Sequence, residues 1–204
     1  VILSVVVVII SYLLGSISFS VLMAKGIKGI DIRHHGSGNA GATNTLRVLG
    51  KGPGILVLIL DILKGVIAVL LGYWLGGDNE WIPALCGLAS IVGHNWPVYF
   101  RFRGGKGIAT TVGVMACLAI IPVLCAGVVL IIVVAITRYV SLGSLLLVLL
   151  TPVFMLIFGP NGADFWPNFW ASVLICIFAF WRHRSNIVKI VQGRENKLGS
   201  KGGI

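Results

Sequence analysis

Residues 107–137, GIATTVGVMACLAIIPVLCAGVVLIIVVAIT, run for 31 positions without a charge, and the way they fold decides the architecture. As one α-helix they would extend about 46 Å, half again the hydrocarbon core of roughly 30 Å. Pro122 lies near the middle and marks either a kink or a turn. The distribution of basic residues separates these readings. With a turn at 121–122, fifteen of the sixteen Lys and Arg residues, all but Lys64, fall on one side of the membrane, while Asp78, Glu80 and Asp164 fall on the other. With a single long helix, Arg138 and the six basic residues of 182–201 change sides and leave eight against seven. Cytoplasmic loops carry the excess of Lys and Arg, so a turn is predicted. The two central helices are then short, which implies local bilayer thinning or shelter behind longer neighbours.

Outward from that turn, charge-free runs and breakers predict seven transmembrane helices near 1–24, 53–77, 82–100, 107–121, 122–138, 139–158 and 164–181. The expected fold is an all-α integral membrane protein with its N-terminus outside and its C-terminus cytoplasmic. Composition agrees. Charged residues make up 11% of the chain and the mean hydropathy is +1.02, against about 25% charged residues in soluble domains. A net charge of +10 would point to nucleic acid in a soluble protein. Here the basic residues flank apolar spans, where they set orientation and meet anionic head groups, so no nucleic-acid partner is expected. Cys86, Cys117, Cys125 and Cys176 lie in apolar stretches without C-x-x-C spacing and read as helix-packing residues. The first 24 residues carry no charge and no basic lead-in, so they read as a retained span rather than a signal peptide. One multi-pass domain is expected over 1–198, with a flexible Gly- and Ser-rich tail at 199–204. No fixed-period repeat and no inverted pair of broken helices is visible, which weakens a transporter reading.

Three basic, hydroxyl-bearing loops sit at the ends of the spans, and the topology count puts all of them on one face. The first, HHGSGNAGATNTLR at 34–47, interleaves Gly36, Gly38 and Gly41 with Ser37, Asn39, Thr43, Asn44 and Thr45 and ends on Arg47. Glycines let main-chain N–H groups turn inward on an anion, and Ser and Arg complete the cradle. A plain polar connector is the alternative. The second, GHNWPVYFRFRGGKG at 93–107, sets Arg101, Arg103 and Lys106 beside Gly104 and Gly105 just before a helix starts. A helix N-terminus with glycines and a Lys is a phosphate site by its dipole and free N–H groups. It is no Walker A loop, since Lys106 is followed by Gly107 rather than Ser or Thr. The third, RHRSNIVKIVQGRENK at 182–197, follows the last span. It suits a short interfacial helix with His183 and Asn186 on one face, or a positive stop-transfer tail.

Asp61 and Lys64 stand inside the second span at i, i+3. An unpaired charge there is costly, so they are expected to pair, as a structural ion pair in preference to a direct substrate role. His94, next to Asn95 and Pro97 at a helix end, is read as orienting the second loop, with action on substrate as the alternative. His34 and His35 are adjacent, with no Cys or carboxylate constellation nearby, so no metal site is expected. Acids on the basic side are only Asp31 and Glu195. A paired-carboxylate mechanism is therefore disfavoured, and the site should bind multiply anionic substrates. The H-x-x-x-x-D acyltransferase signature is absent, since Asn39, Ala40, Tyr99 and Val188 stand five residues beyond the four histidines.

The blocks GSGNAGATNTLRVLGKGPG, GHNWPVYFRFRGGKGIATTVG and RHRSNIVKIVQGRENK resemble, in order and spacing, those of the bacterial acylphosphate:glycerol-3-phosphate acyltransferases, with no departure inside the blocks. With the spans between them the resemblance covers nearly the whole chain. It implies a seven-helix inner-membrane enzyme that moves a fatty acyl group from acyl phosphate to the 1-hydroxyl of sn-glycerol 3-phosphate. The products are lysophosphatidic acid and phosphate, the first acylation of phospholipid synthesis. The family's blocks map onto Ser37, Asn39, Asn44 and Arg47, onto Gly104, Gly105 and Lys106, and onto His183, Asn186 and Glu195. Lys106 and Arg47 are expected to hold phosphates, Ser37 to stabilise developing charge, and His183 with Asn186 to position the acceptor. Arg138, Ser141 and Ser144 are expected to complete the phosphate pocket. Acyl phosphate, glycerol 3-phosphate and membrane lipids are the expected partners. No cofactor, metal or obligatory protein partner is expected, and the protein is taken as a monomer. The alternatives are a transporter of phosphate or organophosphate anions, disfavoured by outer loops without a basic residue, and a lipid-binding scaffold.

Overall fold

The computed structural model describes residues 2–159 and 162–199. Val1 of the first expected span and residues 200–204 of the expected tail lie outside the described residues. Among the described residues the secondary structure is helical throughout: α1 Ile2–Gly15, α2 Phe19–Lys28, α3 Ala42–Leu49, α4 Lys51–Leu75, α5 Trp81–Asn95, α6 Ile108–Leu118, α7 Ile120–Thr137, α8 Val140–Phe158, α9 Phe165–Arg182 and α10 Arg184–Val191, with 3-10 turns at Ile32–His34 and Val98–Phe100. Among the described residues four stretches are long and apolar enough to cross a membrane: Ile2–Lys28, Lys51–Leu75, Ile120–Thr137 and Val140–Phe158. The protein is an all-α, multi-pass membrane protein. The described residues divide into two compact units, those up to Val114 and those from Met115 onward.

In the first unit α1 packs on α5, and α4 packs on α1, α3 and α5. The α1–α5 contact is backbone to backbone. A Cβ on Gly15 would stand 2.1 Å from the Ser90 carbonyl oxygen, and one on Gly93 would stand 2.2 Å from that of Tyr12. The first expected span breaks at 16–18 and resumes as α2, where the hydroxyl of Ser16 turns back to the Tyr12 carbonyl (2.9 Å), a bond that bends helices. The Ile17 carbonyl released by the break accepts from Lys64 Nζ at 2.9 Å. Residues 82–100, expected as one helix, leave the helical path at Trp96 (φ −133°, ψ 70°). Pro97 follows, and the residue before a proline is pushed out of the α region.

The second unit is built on α7 and α8, which are joined by Arg138 and Tyr139 and pack along their length, with α9 on α8 and α10 against both α8 and α9. The break expected at 121–122 falls at Ala119 (φ −157°, ψ 70°). Proline lacks the N–H that a first helical turn does not use, so Pro122 is accommodated three residues into α7 rather than before it. Asn168 of α9 donates from Nδ2 to the Leu118 carbonyl at 3.2 Å, capping the end of α6.

Candidate active site

The first loop is a folded unit in its own right. Asp31 starts it, accepting from the Arg33 main-chain N–H at 3.0 Å and from the Arg33 guanidinium at 2.6 to 3.1 Å. The guanidinium beside it holds the Asp31 carboxyl down, from its usual 3.8 to about 2, against a smaller opposing effect of burial. Arg33 Nη1 then reaches the carbonyls of Phe100 (2.9 Å) and Arg103 (3.3 Å) in the second loop. Gly36 and Gly38 take positive φ, and the bend they make closes on Asn44 from the start of α3. Asn44 Oδ1 accepts from the Ser37 N–H (2.8 Å), and its Nδ2 donates to the carbonyls of His35 (2.9 Å) and Ile32 (3.3 Å). Asn44 is 1% exposed, so its amide is committed to the loop's main chain. Ser37 is exposed, while Asn39 and Arg47 are half-buried.

The second loop is held by contacts that exclude side chains. The Gly105 N–H donates to the His94 carbonyl at 3.1 Å. A Cβ on Gly105 would stand 2.2 Å from His94 Nε2 and 2.3 Å from the Ala40 carbonyl oxygen, and one on Gly104 would stand 2.1 Å from the His94 carbonyl oxygen. Gly107 (φ 79°) turns the chain into α6. The half-buried Lys106 is therefore placed two residues ahead of a helix whose first N–H groups are unused by the helix itself. Upstream, Arg101 and Phe102 both occupy the left-handed region, at φ 57° and 58°, between the two carbonyls that Arg33 grips.

Beneath this loop lie the buried polar groups of the first unit. Lys64 Nζ and Asp61 Oδ1 are 2.9 Å apart, at 1% and 2% exposure. Asp61 Oδ1 is also 3.5 Å from His94 Nδ1, and Thr110 Oγ1 is 3.3 Å from the same nitrogen. Lys64 Nζ further lies 5.6 Å from the centre of the Phe19 ring. Asn95 is fully buried, and neither atom of its side-chain amide has a hydrogen-bond partner among the described residues.

In the second unit His183 joins α9 to α10 at 2% exposure. Its Nδ1 lies 2.8 Å from the Ala179 carbonyl oxygen. A carbonyl only accepts, so Nδ1 carries a proton and the ring is fixed through that bond. Asn186 Nδ2 donates to both oxygens of Glu195, at 2.9 and 3.0 Å, which fixes the amide's orientation. Arg138 directs Nε and Nη2 to the Leu198 carbonyl (3.0 and 2.6 Å). Ser144 bonds back to the Val140 carbonyl at 2.8 Å, whereas the buried Ser141 hydroxyl has no hydrogen-bond partner among the described residues.

The structure thus gathers Asp61, Lys64, His94, Gly104, Gly105 and Lys106 around one loop and its floor, sets Ser37, Asn39, Asn44 and Arg47 on the neighbouring loop and α3, and pairs Asn186 with Glu195. Sequence reasoning overlooked Arg33 and Thr110. Arg33 carried a signal, since an Asp two residues before an Arg is a short-range ion pair. Thr110 carried none, because a Thr in an apolar helix reads as packing.

A family model described as glycerol-3-phosphate acyltransferase matches residues 5–193. The glycerol-3-phosphate acyltransferase of Shouchella clausii (strain KSM-K16) is 56% identical over 195 residues, 95% of each chain. That of Clostridioides difficile (strain 630) is 40% identical, covering 97% of this chain and 96% of its own. Two crystal structures of PlsY, an integral membrane glycerol 3-phosphate acyltransferase, are similar. The glycerol 3-phosphate form is 39% identical with a TM-score of 0.87, over 97% of this chain and 96% of that one. The lysophosphatidic acid form is 37% identical with a TM-score of 0.83, over 98% and 97%. With the match running through the apolar helices and the basic glycine loops alike, the chain belongs to the glycerol-3-phosphate acyltransferase family.

Proposed function

We propose that the protein transfers a fatty acyl group from acyl phosphate to the 1-hydroxyl of sn-glycerol 3-phosphate, yielding lysophosphatidic acid and inorganic phosphate. The observation that carries this reading is the likeness, at 39% identity over 97% of the chain, to an acyltransferase crystallised in its glycerol 3-phosphate form. The cationic glycine loop ahead of α6 supports it independently, as a place for a phosphate.

The donor is a mixed anhydride. The acceptor hydroxyl attacks the carbonyl carbon, the C–O bond to phosphate breaks, and phosphate departs with that electron pair. Because phosphate is a good leaving group, no covalent enzyme nucleophile is required. Acceleration comes from cations and N–H groups aimed at the carbonyl oxygen and the departing phosphate. Lys106 and Arg47 hold phosphates, with the main chain of Gly104 and Gly105 approaching closely. Ser37, Asn39 and loop amides stabilise charge, and Asn44 keeps that loop in shape. His183 and Asn186 position the acceptor, with Glu195 orienting Asn186, and Arg138, Ser141 and Ser144 serve phosphate binding in the second unit. The hydroxyl proton goes to His183 Nε2 or to the departing phosphate. This chemistry needs no metal or cofactor.

The protein is further proposed to span the bacterial inner membrane seven times, N-terminus outside and C-terminus inside, with loops 34–47, 93–107 and 182–197 in the cytoplasm. The asymmetry of Lys and Arg supports that topology. The decisive experiment is a purified assay with acyl phosphate and glycerol 3-phosphate. The wild type should form lysophosphatidic acid, and Lys106→Ala should lose about a thousandfold in kcat/KM, the scale of removing a group that stabilises transition-state charge. Absence of product with the wild type sinks the reading. His183→Ala with full turnover across pH would assign the proton to phosphate.

A further inference from the structure

Asp61 and Lys64 lie inside α4, almost wholly removed from solvent and lipid. A buried ion pair is often no more stabilising than apolar side chains of the same volume, so stability alone gives α4 little reason to carry one. Its attachments give a better reason. On one side Lys64 bonds to the Ile17 carbonyl, where the first span is broken. On the other, Asp61 meets Nδ1 of His94, and Thr110 from the first turn of α6 meets the same nitrogen. His94 then contacts the second loop at two places. Its carbonyl receives the Gly105 N–H, and its ring edge at Nε2 lies against Gly105, where even a methyl group has no room.

We propose that the Asp61–Lys64 pair is a positioning device for the phosphate-binding segment 104–107, acting through the imidazole of His94. Asp61 and Thr110 fix the Nδ1 side of the ring, so the opposite edge is a rigid floor beneath Gly105. The height of that floor sets where the main-chain N–H groups and Lys106 meet the acceptor's phosphate. Lys64 neutralises Asp61, so that the carboxylate can hold its place inside a span. The inference rests on reading Lys106 as a phosphate ligand. It also separates two roles. A pair that merely staples α4 to the break at Ile17 would affect stability alone, whereas a pair that sets the loop must affect recognition of glycerol 3-phosphate.

The test uses the full-length protein purified in detergent. Asp61→Asn/Lys64→Met removes both charges together, so neither is left buried alone. KM for glycerol 3-phosphate should rise about tenfold or more, in keeping with the sensitivity of bound geometry to shifts on the order of 1 Å, while KM for acyl phosphate stays within twofold. Thr110→Val, which removes only a hydroxyl, should raise the same KM about threefold and decides the matter by itself if the double variant does not fold. Folded variants whose KM for glycerol 3-phosphate stays within twofold of the wild type would overturn the proposal, whatever their melting temperatures. Equilibrium binding of labelled glycerol 3-phosphate to the same proteins keeps the two ideas apart. If the wild type binds but makes no lysophosphatidic acid, the enzyme reading fails. Weaker binding by the variants would still support the positioning role, and equal binding would remove it.

Discussion

The first glycine loop, 34–47, is closed by one polar side chain of its own, whereas the glycines of the second, 93–107, fold back on the end of α5 through contacts that leave no space for a Cβ. In the first, Asn44 supplies three hydrogen bonds to main-chain groups up to twelve residues earlier. In the second, Gly104 and Gly105 press their backbone on His94 and Ala40. Similar composition thus arises for different reasons. Small polar residues in the first loop shape the loop itself, and glycines in the second let the chain reach a floor built by other helices.

That contrast can be broken by substitution. The largest effect is expected at Gly105→Ala, because the new methyl meets both His94 Nε2 and a main-chain oxygen that cannot step aside. Activity should fall more than a hundredfold, and a melting curve should reveal a loss of about 1–3 kcal/mol. Asn44→Ala should come next. It leaves a main-chain N–H and carbonyls unpaired in a partly buried region, costing about 1–3 kcal/mol, and amide hydrogen exchange should accelerate at Ser37 while 104–107 stays protected. Protection lost equally in both loops would erase the distinction.

A smaller effect belongs to Asp31, which secures Arg33 and so ties the first loop to the second. Its folded pKa is depressed to about 2 from 3.8, so its stabilising contribution is full above about pH 4 and fades as pH falls through 2. Asp31→Asn should therefore melt below the wild type at neutral pH, with the two curves converging near pH 2. Smallest of all, and opposite in sign, is Gly26→Ala in α2. Among the described residues nothing lies within 4 Å of where its Cβ would stand, and the added helix propensity should stabilise by about 0.5–1 kcal/mol. Any loss of activity there would mean that glycine content, rather than close contact, governs these regions.

Much of this was legible in the sequence, for identifiable reasons. Apolar runs and charge asymmetry gave the helical segments, because lipid demands long uninterrupted helices. The Asp61–Lys64 pairing followed from a spacing of three on one helix. What local spacing could not reveal was distance. His94 lies 33 residues beyond Asp61, so its place under Gly105 emerges only when α4, α5 and α6 pack. Asn44 has a part that composition does not carry, since an Asn in a cationic glycine loop reads as a ligand, while its amide bonds its own backbone. Pro122 marks its boundary to within a few residues, whereas the expected span 82–100 runs past Pro97, and both offsets follow from where a helix tolerates a proline.

Arg101 and Phe102 hold a conformation that costs side-chain-bearing residues about 1–3 kcal/mol each, and Arg33 clasps the carbonyls on both flanks. This stretch is held both by its own turn, with the Phe102 N–H on the Pro97 carbonyl (2.9 Å) and the Arg103 N–H on the Phe100 carbonyl (3.2 Å), and by a neighbour. Under random mutagenesis Phe102 should accept glycine or asparagine readily and reject isoleucine or valine. Loss of Arg33 should relax that demand and let the forbidden residues appear.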